Sequence, residues 1–122
     1  MDLKKILSNF FSRNSKTDKK GTYVTSDPND KNLRWGVDDQ PTQMNKAYIV
    51  LSEDERAKGF VRPIRLSYVH KTCNTTTFMS REIAETYARD PEYYGSTFCS
   101  NCQMHRPISE FLWEGSNETV GS

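Results

Sequence analysis

Apolar and polar positions fall into three distinct patterns along the chain, and each predicts a different kind of structure. Leu3, Ile6, Leu7, Phe10 and Phe11 stand at i, i+3, i+4, i+7 and i+8, which places all five on one stripe of a helix. Helices shorter than about 12–15 residues are marginal in water without a surface to dock on, so the stripe is expected to pack on its own domain or to meet a partner. A single short basic stripe is a weak membrane anchor. Residues 12–46 then lose any sustained period and carry turn signals such as SDPND and DDQP, the pattern of a linker or extended arm. Tyr23, Val24, Leu33, Trp35 and Val37 are large for a linker and suit an arm that lies along a surface.

From residue 47 the pattern tightens. Residues 47–51, AYIVL, read as a short strand, and Ser52 with Glu55 forms a capping box that opens one or two helical turns closed at Gly59. Residues 60–61 and 64–69 read as extended, with Pro63 keeping the start of that strand out of a sheet interior. Ser80 caps a helix running to Asp90, with Ile83, Ala84, Tyr87 and Ala88 on one face and the pairs Arg81–Glu85 and Glu85–Arg89 on the other. Pro91 and Gly95 stop it. Residues 108–113 predict a final strand, and 115–122 a frayed tail. There are no internal repeats. The expected fold is α+β: a small zinc-ribbon-like domain over 47–115, with an N-terminal segment and arm over 1–46 and a tail over 116–122.

Composition sharpens the division. Over 122 residues, enough for one domain, the apolar fraction is 34%, against roughly 45–50% for an average soluble domain. Residues 1–46 hold 12 apolar residues and residues 47–113 hold 29 of 67, so the core belongs to the second half. Charge divides the same way: residues 1–20 carry six basic and two acidic side chains, net +4, whereas residues 51–122 carry eight basic and ten acidic, net −2. A dedicated nucleic-acid binder usually shows its basic face on the folded part, so only the basic N-terminal segment supports that role. No apolar run approaches the ~20 residues of a membrane span. Three cysteines cannot all pair within one chain, and residues 3–11, interrupted by Lys4 and Lys5, make no secretory h-region. A reducing cytoplasm is the expected setting, where the Asn-x-Thr triplets at Asn74 and Asn117 carry no glycan.

The chemistry concentrates in two short segments. His70-x-x-Cys73 and Cys99-x-x-Cys102 each hold two soft ligands at a gap of two residues, so one tight turn can aim both side chains at one ion while its following N–H groups donate to the sulfurs. Thiolate-rich four-ligand sets favour Zn²⁺. Three cysteines could also be plain core residues, since free cysteine is often buried; the paired spacing argues for the metal. His105 competes for the fourth position through Cys99-x-x-Cys102-x-x-His105, and the symmetry of two like turns favours His70, leaving His105 solvated or behind a ligand. Such turns commonly end in glycine. Here Asn74 and Gln103 stand at those places; Asn tolerates φ > 0 better than most residues, Gln less well.

A catalytic zinc keeps an open position beside a carboxylate base, whereas four soft ligands close the site. A nucleoside deaminase would need His-x-Glu, and residue 72 is Thr. Cysteine–histidine nucleophilic catalysis is set aside because every cysteine is better used as a ligand, so the chain is not expected to be an enzyme. Glu110 is expected at the surface or behind a ligand rather than as an acid catalyst. Tyr93, Tyr94, Phe98, Phe111 and Trp113 are expected to form core around the turns. Arg62, Arg65, Tyr68 and Lys71 could lie on phosphates, yet their alternation fits the solvent face of a strand.

The segments GFVRPIRLSYVHKTC and REIAETYARDPEYYGSTFCSNCQMHRPISEFLWEG, with the closing VGS, resemble a functionally unassigned family of small zinc-knuckle proteins encoded by tailed bacteriophages, over residues 59–122. Asn74 departs from the glycine expected there. The resemblance implies a phage origin, a zinc-knuckle body and no assigned activity. With it, the expected role is a non-enzymatic structural or interaction protein in the host cytoplasm and the virion, docking on a phage or host protein through Leu3, Ile6, Leu7, Phe10, Phe11 and Trp35. The alternative is a nucleic-acid-binding or host-takeover regulator using the basic segment and the strand from Arg62 to Lys71.

Overall fold

The computed structural model describes residues 21–122, and the chain divides into two compact units. The described part of the first holds residues 21–34 and 45–50; the second holds Trp35–Met44 and Leu51–Ser122. The helical stripe expected over Leu3, Ile6, Leu7, Phe10 and Phe11 lies outside the described residues.

In the first unit, β1 (Tyr23–Thr25) pairs in parallel with β2 (Ala47–Ile49), Tyr23 opposite Ala47 and Thr25 opposite Ile49. The SDPND turn forms through its aspartates, with Asn29 N–H donating to Asp27 Oδ1 at 2.9 Å and Asn32 N–H to Asp30 Oδ1 at 2.8 Å, as short acceptor side chains favour. The Tyr23 hydroxyl closes the turn by donating to Asp30 Oδ2 at 2.8 Å. Residues 23–25 are therefore a strand and not part of a linker.

The second unit is a small α+β domain. β3 (Ser67–His70) is the central strand of an antiparallel sheet ordered β4-β3-β7, with β4 at Thr76–Phe78 and β7 at Phe111–Trp113. A separate hairpin pairs β5 (Ser96–Cys99) with β6 (Met104–Pro107). The capping box at Ser52 opens α1 (Glu53–Arg56), the Ser52 hydroxyl accepting the Glu55 N–H. Ser80 likewise caps α2 (Arg81–Arg89), which buries Ala84, Thr86, Tyr87 and Ala88. Thr86 is buried at no polar cost, because its hydroxyl donates to Glu82 O and accepts the Leu51 N–H. Arg81 pairs with Glu85 as expected, at 3.0 Å, but the other Glu85 oxygen takes Arg56 at 3.1 Å, and Arg89 turns to Glu55.

The core gathers Tyr68, Tyr87, Cys99, Phe111, Trp113 and Val120. Its rings meet edge to face, Tyr68 on Phe111 and Tyr87 on Trp113, each pair at 5.2 Å between centroids, the arrangement their quadrupoles prefer. The buried Tyr68 hydroxyl donates to Phe98 O at 2.6 Å and accepts from Thr97 Oγ1 at 3.0 Å, tying the sheet to the hairpin. Two further expectations are corrected here. Residues 116–122 are not a frayed tail: Val120 enters the core, Trp113 N–H donates to Glu118 O at 2.9 Å and Val120 N–H to Phe111 O at 3.0 Å. Gly121 has φ +101°, and a Cβ there would meet Ile108 Cδ1 at 2.6 Å, so the closure needs glycine. Nor does the stretch from 35 to 44 stand outside the domain expected to begin at residue 47. Asp38 N–H donates to His105 O at 2.8 Å, Thr42 N–H to Gln103 O at 2.6 Å, and Ser96 Oγ to Gly36 O at 2.9 Å, so this segment is held against β5 and β6. Within it Trp35 stays 70% exposed. Among the described residues no helix is long and apolar enough to cross a membrane.

Candidate metal centre

Two strands and the turns that follow them deliver the site. His70 ends β3, Cys73 follows it in the turn to β4, Cys99 ends β5, and Cys102 sits in the turn to β6. Both turns close identically: Asn74 N–H donates to His70 O at 2.7 Å and Gln103 N–H to Cys99 O at 2.8 Å. Asn74 (φ 59°) and Gln103 (φ 57°) are the only non-glycine residues at positive φ among those described. Each thus adopts the left-handed conformation that the two-residue ligand gap demands. The second turn is braced further by Thr77, whose Oγ1 accepts the Ser100 N–H at 3.1 Å. The left-handed region costs ordinary L-residues roughly 1–2 kcal/mol, and a β-branched side chain fits it worst. Gln103→Ile is therefore expected to lower stability by about that amount and Gln103→Asn to leave it unchanged or raised, as read from denaturant midpoints of the metal-loaded protein.

The four donor atoms, one from each of His70, Cys73, Cys99 and Cys102, all lie within 4.8 Å of one another. Cys73 Sγ is 3.5 Å from Cys99 Sγ, and His70 Nδ1 is 3.5 Å from the sulfurs of both Cys73 and Cys102. The cysteines are free thiols. The set can hold one metal ion. Orientation of the imidazole is settled from behind, where His70 Nε2 lies 2.8 Å from Glu110 Oε1. Glu110 in turn takes the Arg106 guanidinium at 3.0 Å. Hydrogen bonds from Arg106 and then His70 hold the Glu110 carboxyl below the usual carboxylate range, so it accepts the Nε2–H and leaves the Nδ1 lone pair facing the sulfurs. Phe111 stacks on the ring at 4.5 Å, 27° between planes.

The thiols show what the cluster lacks on its own. At Cys73 burial pushes the thiol up, but hydrogen bonds from Thr75, His70 and Cys99 together outweigh it and bring it from 9.0 to about 6. At Cys102 burial acts first, and the nearby sulfurs of Cys99 and Cys73 add to it, holding the thiol up at about 11. Three sulfurs this close resist a third negative charge, and a cation among them removes that resistance. The Cys102 N–H also points at Cys99 Sγ, 3.4 Å away.

His105 stands elsewhere. It is 5% exposed, not solvated, and its Nδ1 lies 2.7 Å from Asp38 Oδ2, which also accepts the His105 N–H at 2.8 Å. Its ring meets Phe98 edge to face. The sequence placed Glu110 either at the surface or behind a ligand, and the structure puts it behind His70. Asp38 escaped notice altogether, being 67 positions from its partner within a polar stretch. Arg65 and Tyr68 are not on a solvent face: Arg65 lies over the Trp113 ring at 4.5 Å and donates to Ser122 O at 2.7 Å, while Tyr68 is 3% exposed.

Carboxylates that orient a metal-bound imidazole typically change metal affinity 10–100-fold when altered. Glu110→Ala is expected to weaken metal binding by about that factor without abolishing it, measured by competition with a chromophoric chelator. Comparison with family models, with curated proteins and with solved structures finds no match to this chain.

Proposed function

We propose that this chain is a non-enzymatic interaction protein whose body is a zinc-ribbon-like domain held by one structural Zn²⁺ on His70, Cys73, Cys99 and Cys102. The observation that carries the reading is the convergence of one imidazole and three sulfurs with the imidazole already oriented by Glu110. Tetrahedral zinc, with Zn–S about 2.3 Å and Zn–N about 2.0–2.1 Å, sets sulfurs about 3.8 Å apart and sulfur from nitrogen about 3.6 Å apart. Three of the six donor separations are 3.5 Å, near those values, and all four donors lie within 4.8 Å of one another. Four protein ligands leave no position for a substrate or a reactive water, which supports a structural role over catalysis.

The apolar stripe of Leu3, Ile6, Leu7, Phe10 and Phe11, with the exposed Trp35, supports docking on a protein partner, and the resemblance of residues 59–122 to the tailed-phage family supports a phage or host protein as that partner, with the virion as the place of assembly. The test is mass spectrometry of purified particles carrying the full chain or a form lacking residues 1–20. The full chain is expected in the particles at fixed copy number, and the shortened form is expected to keep its zinc and be lost from them. Particles that retain the shortened form, or that never contain the full one, contradict the docking role. The strand half of the nucleic-acid reading is weakened by the engagement of Arg65 with Trp113 and by the burial of Tyr68, two of its four residues.

A further inference from the structure

β4 lies at one end of the sheet ordered β4-β3-β7, and among the described residues no strand pairs with its outer side. Which backbone groups face outward follows from the ladder. His70 N–H donates to Thr75 O and Met79 N–H to Leu66 O, and Tyr68 stands opposite Thr77. Because bonded pairs alternate along an antiparallel ladder, Thr75, Thr77 and Met79 direct their N–H and C=O groups at β3. Thr76 and Phe78 direct theirs away from it.

Soluble proteins normally blunt such an edge with a lysine, a proline, a bulge or a covering loop. None of the first three is present over residues 74–79, which read Asn-Thr-Thr-Thr-Phe-Met, and the β3–β4 register runs without interruption. Instead Phe78, opposite Ser67 in the ladder, is 73% exposed, the most exposed large apolar side chain among the described residues.

We propose that β4 is a contact between two copies of this chain, the two strands pairing antiparallel about a twofold axis at Thr77. The occupant follows from symmetry. The outward groups belong to Thr76 and Phe78, equally spaced on either side of Thr77, so an antiparallel copy sets Thr76 opposite Phe78 of the second chain and Phe78 opposite its Thr76. Each of these pairs exchanges two N–H···O bonds, and every outward donor and acceptor of both strands is met. The strand carries no charge, so self-pairing brings no like charges face to face. The two Phe78 rings fall on one face in diagonal register, within reach of each other. The two sheets become one, and the contact is isologous, as closed dimers require. This inference is independent of the zinc assignment and adds a surface to the docking segment proposed above.

The contact is small, so association is expected to depend on concentration. Sedimentation velocity of the full, zinc-loaded chain from micromolar to millimolar concentration is expected to show the mass rising toward twice that of the monomer. Over the same range the Thr76 and Phe78 amides should gain protection from hydrogen exchange. Phe78→Lys sets two ammonium groups near the axis, and Thr76→Pro removes an outward N–H at an edge position where proline is tolerated. Each is expected to keep the bound zinc and to raise the dimer dissociation constant at least tenfold. A wild-type chain that stays monomeric throughout overturns the proposal. So does a dimer that both variants leave unchanged, or one that forms without added protection at Thr76 and Phe78.

Discussion

Chelating the metal from the loaded protein is expected to abolish the cooperative unfolding transition of the unit formed by Trp35–Met44 and Leu51–Ser122. Magnitudes decide this. Structural zinc contributes apparent binding energies of ~10–16 kcal/mol in small zinc-finger peptides, whereas whole domains retain only ~5–15 kcal/mol of net stability. The chain is apolar-poor at 34%, and its buried core cluster of six residues includes one of the candidate ligands, Cys99. Removing the ion leaves the sulfurs of Cys73, Cys99 and Cys102 packed beside a buried imidazole with no cation to hold them together. Near-ultraviolet circular dichroism from Tyr68, Tyr87 and Trp113 should collapse on adding chelator and return on adding excess Zn²⁺. Retention of a sharp, unshifted thermal transition in the stripped protein is the contrary result.

Replacing Cys99 is expected to be the most damaging single substitution. Its side chain is fully buried in the core cluster, its sulfur lies 3.5 Å from Cys73 Sγ, and it faces the Cys102 N–H. Cys99→Ser exchanges a soft thiolate for a hydroxyl that stays protonated at neutral pH, so one donor is lost and a polar group is left in an apolar pocket. An unsatisfied buried group of that kind costs about 1–3 kcal/mol by itself, added to most of the metal's contribution. The variant should purify without stoichiometric zinc and melt without cooperativity. His105→Ala, at a residue paired with Asp38 and outside the cluster, should retain a full equivalent of zinc even if its melting temperature falls. Ordinary zinc content in Cys99→Ser, or loss of the metal in His105→Ala, would reverse the ligand assignment.

What could be read from the residues alone divides by the range of the interactions involved. Signals confined to a few neighbours came through: the serine caps at Ser52 and Ser80, the amphipathic face of α2, and the two-residue ligand gaps. The doubt about Gln103, a residue poorly suited to φ > 0, is resolved by local bonds, since its backbone closes the turn onto Cys99 O and its side chain donates to Ser100 O at 2.6 Å. Features that depend on distant partners were invisible. β2 lies within the strand expected over 47–51, but its parallel partner β1, three residues long and joined to it by no hairpin signal, reads as linker. β5 and β6, reading STFC and MHRP, have no clean apolar period because their conformation is imposed by the ligand turn between them. Asp38 looked like linker because its value lies entirely in meeting His105. Val120 looked like tail because a single apolar residue among polar ones gives no period, although it fills the core beside Phe111 and Trp113. Between His70 and His105, spacing favoured the former by symmetry, and only the fold shows that the latter is committed elsewhere.

X-ray absorption spectroscopy at the zinc edge, on protein purified without added chelator, tests the central claim most directly. A closed site predicts one zinc per chain with three sulfurs at about 2.3 Å and one nitrogen at about 2.0–2.1 Å, and no light-atom shell beyond that nitrogen. A protein that carries no metal, or a spectrum with two sulfurs and bound water, would contradict it.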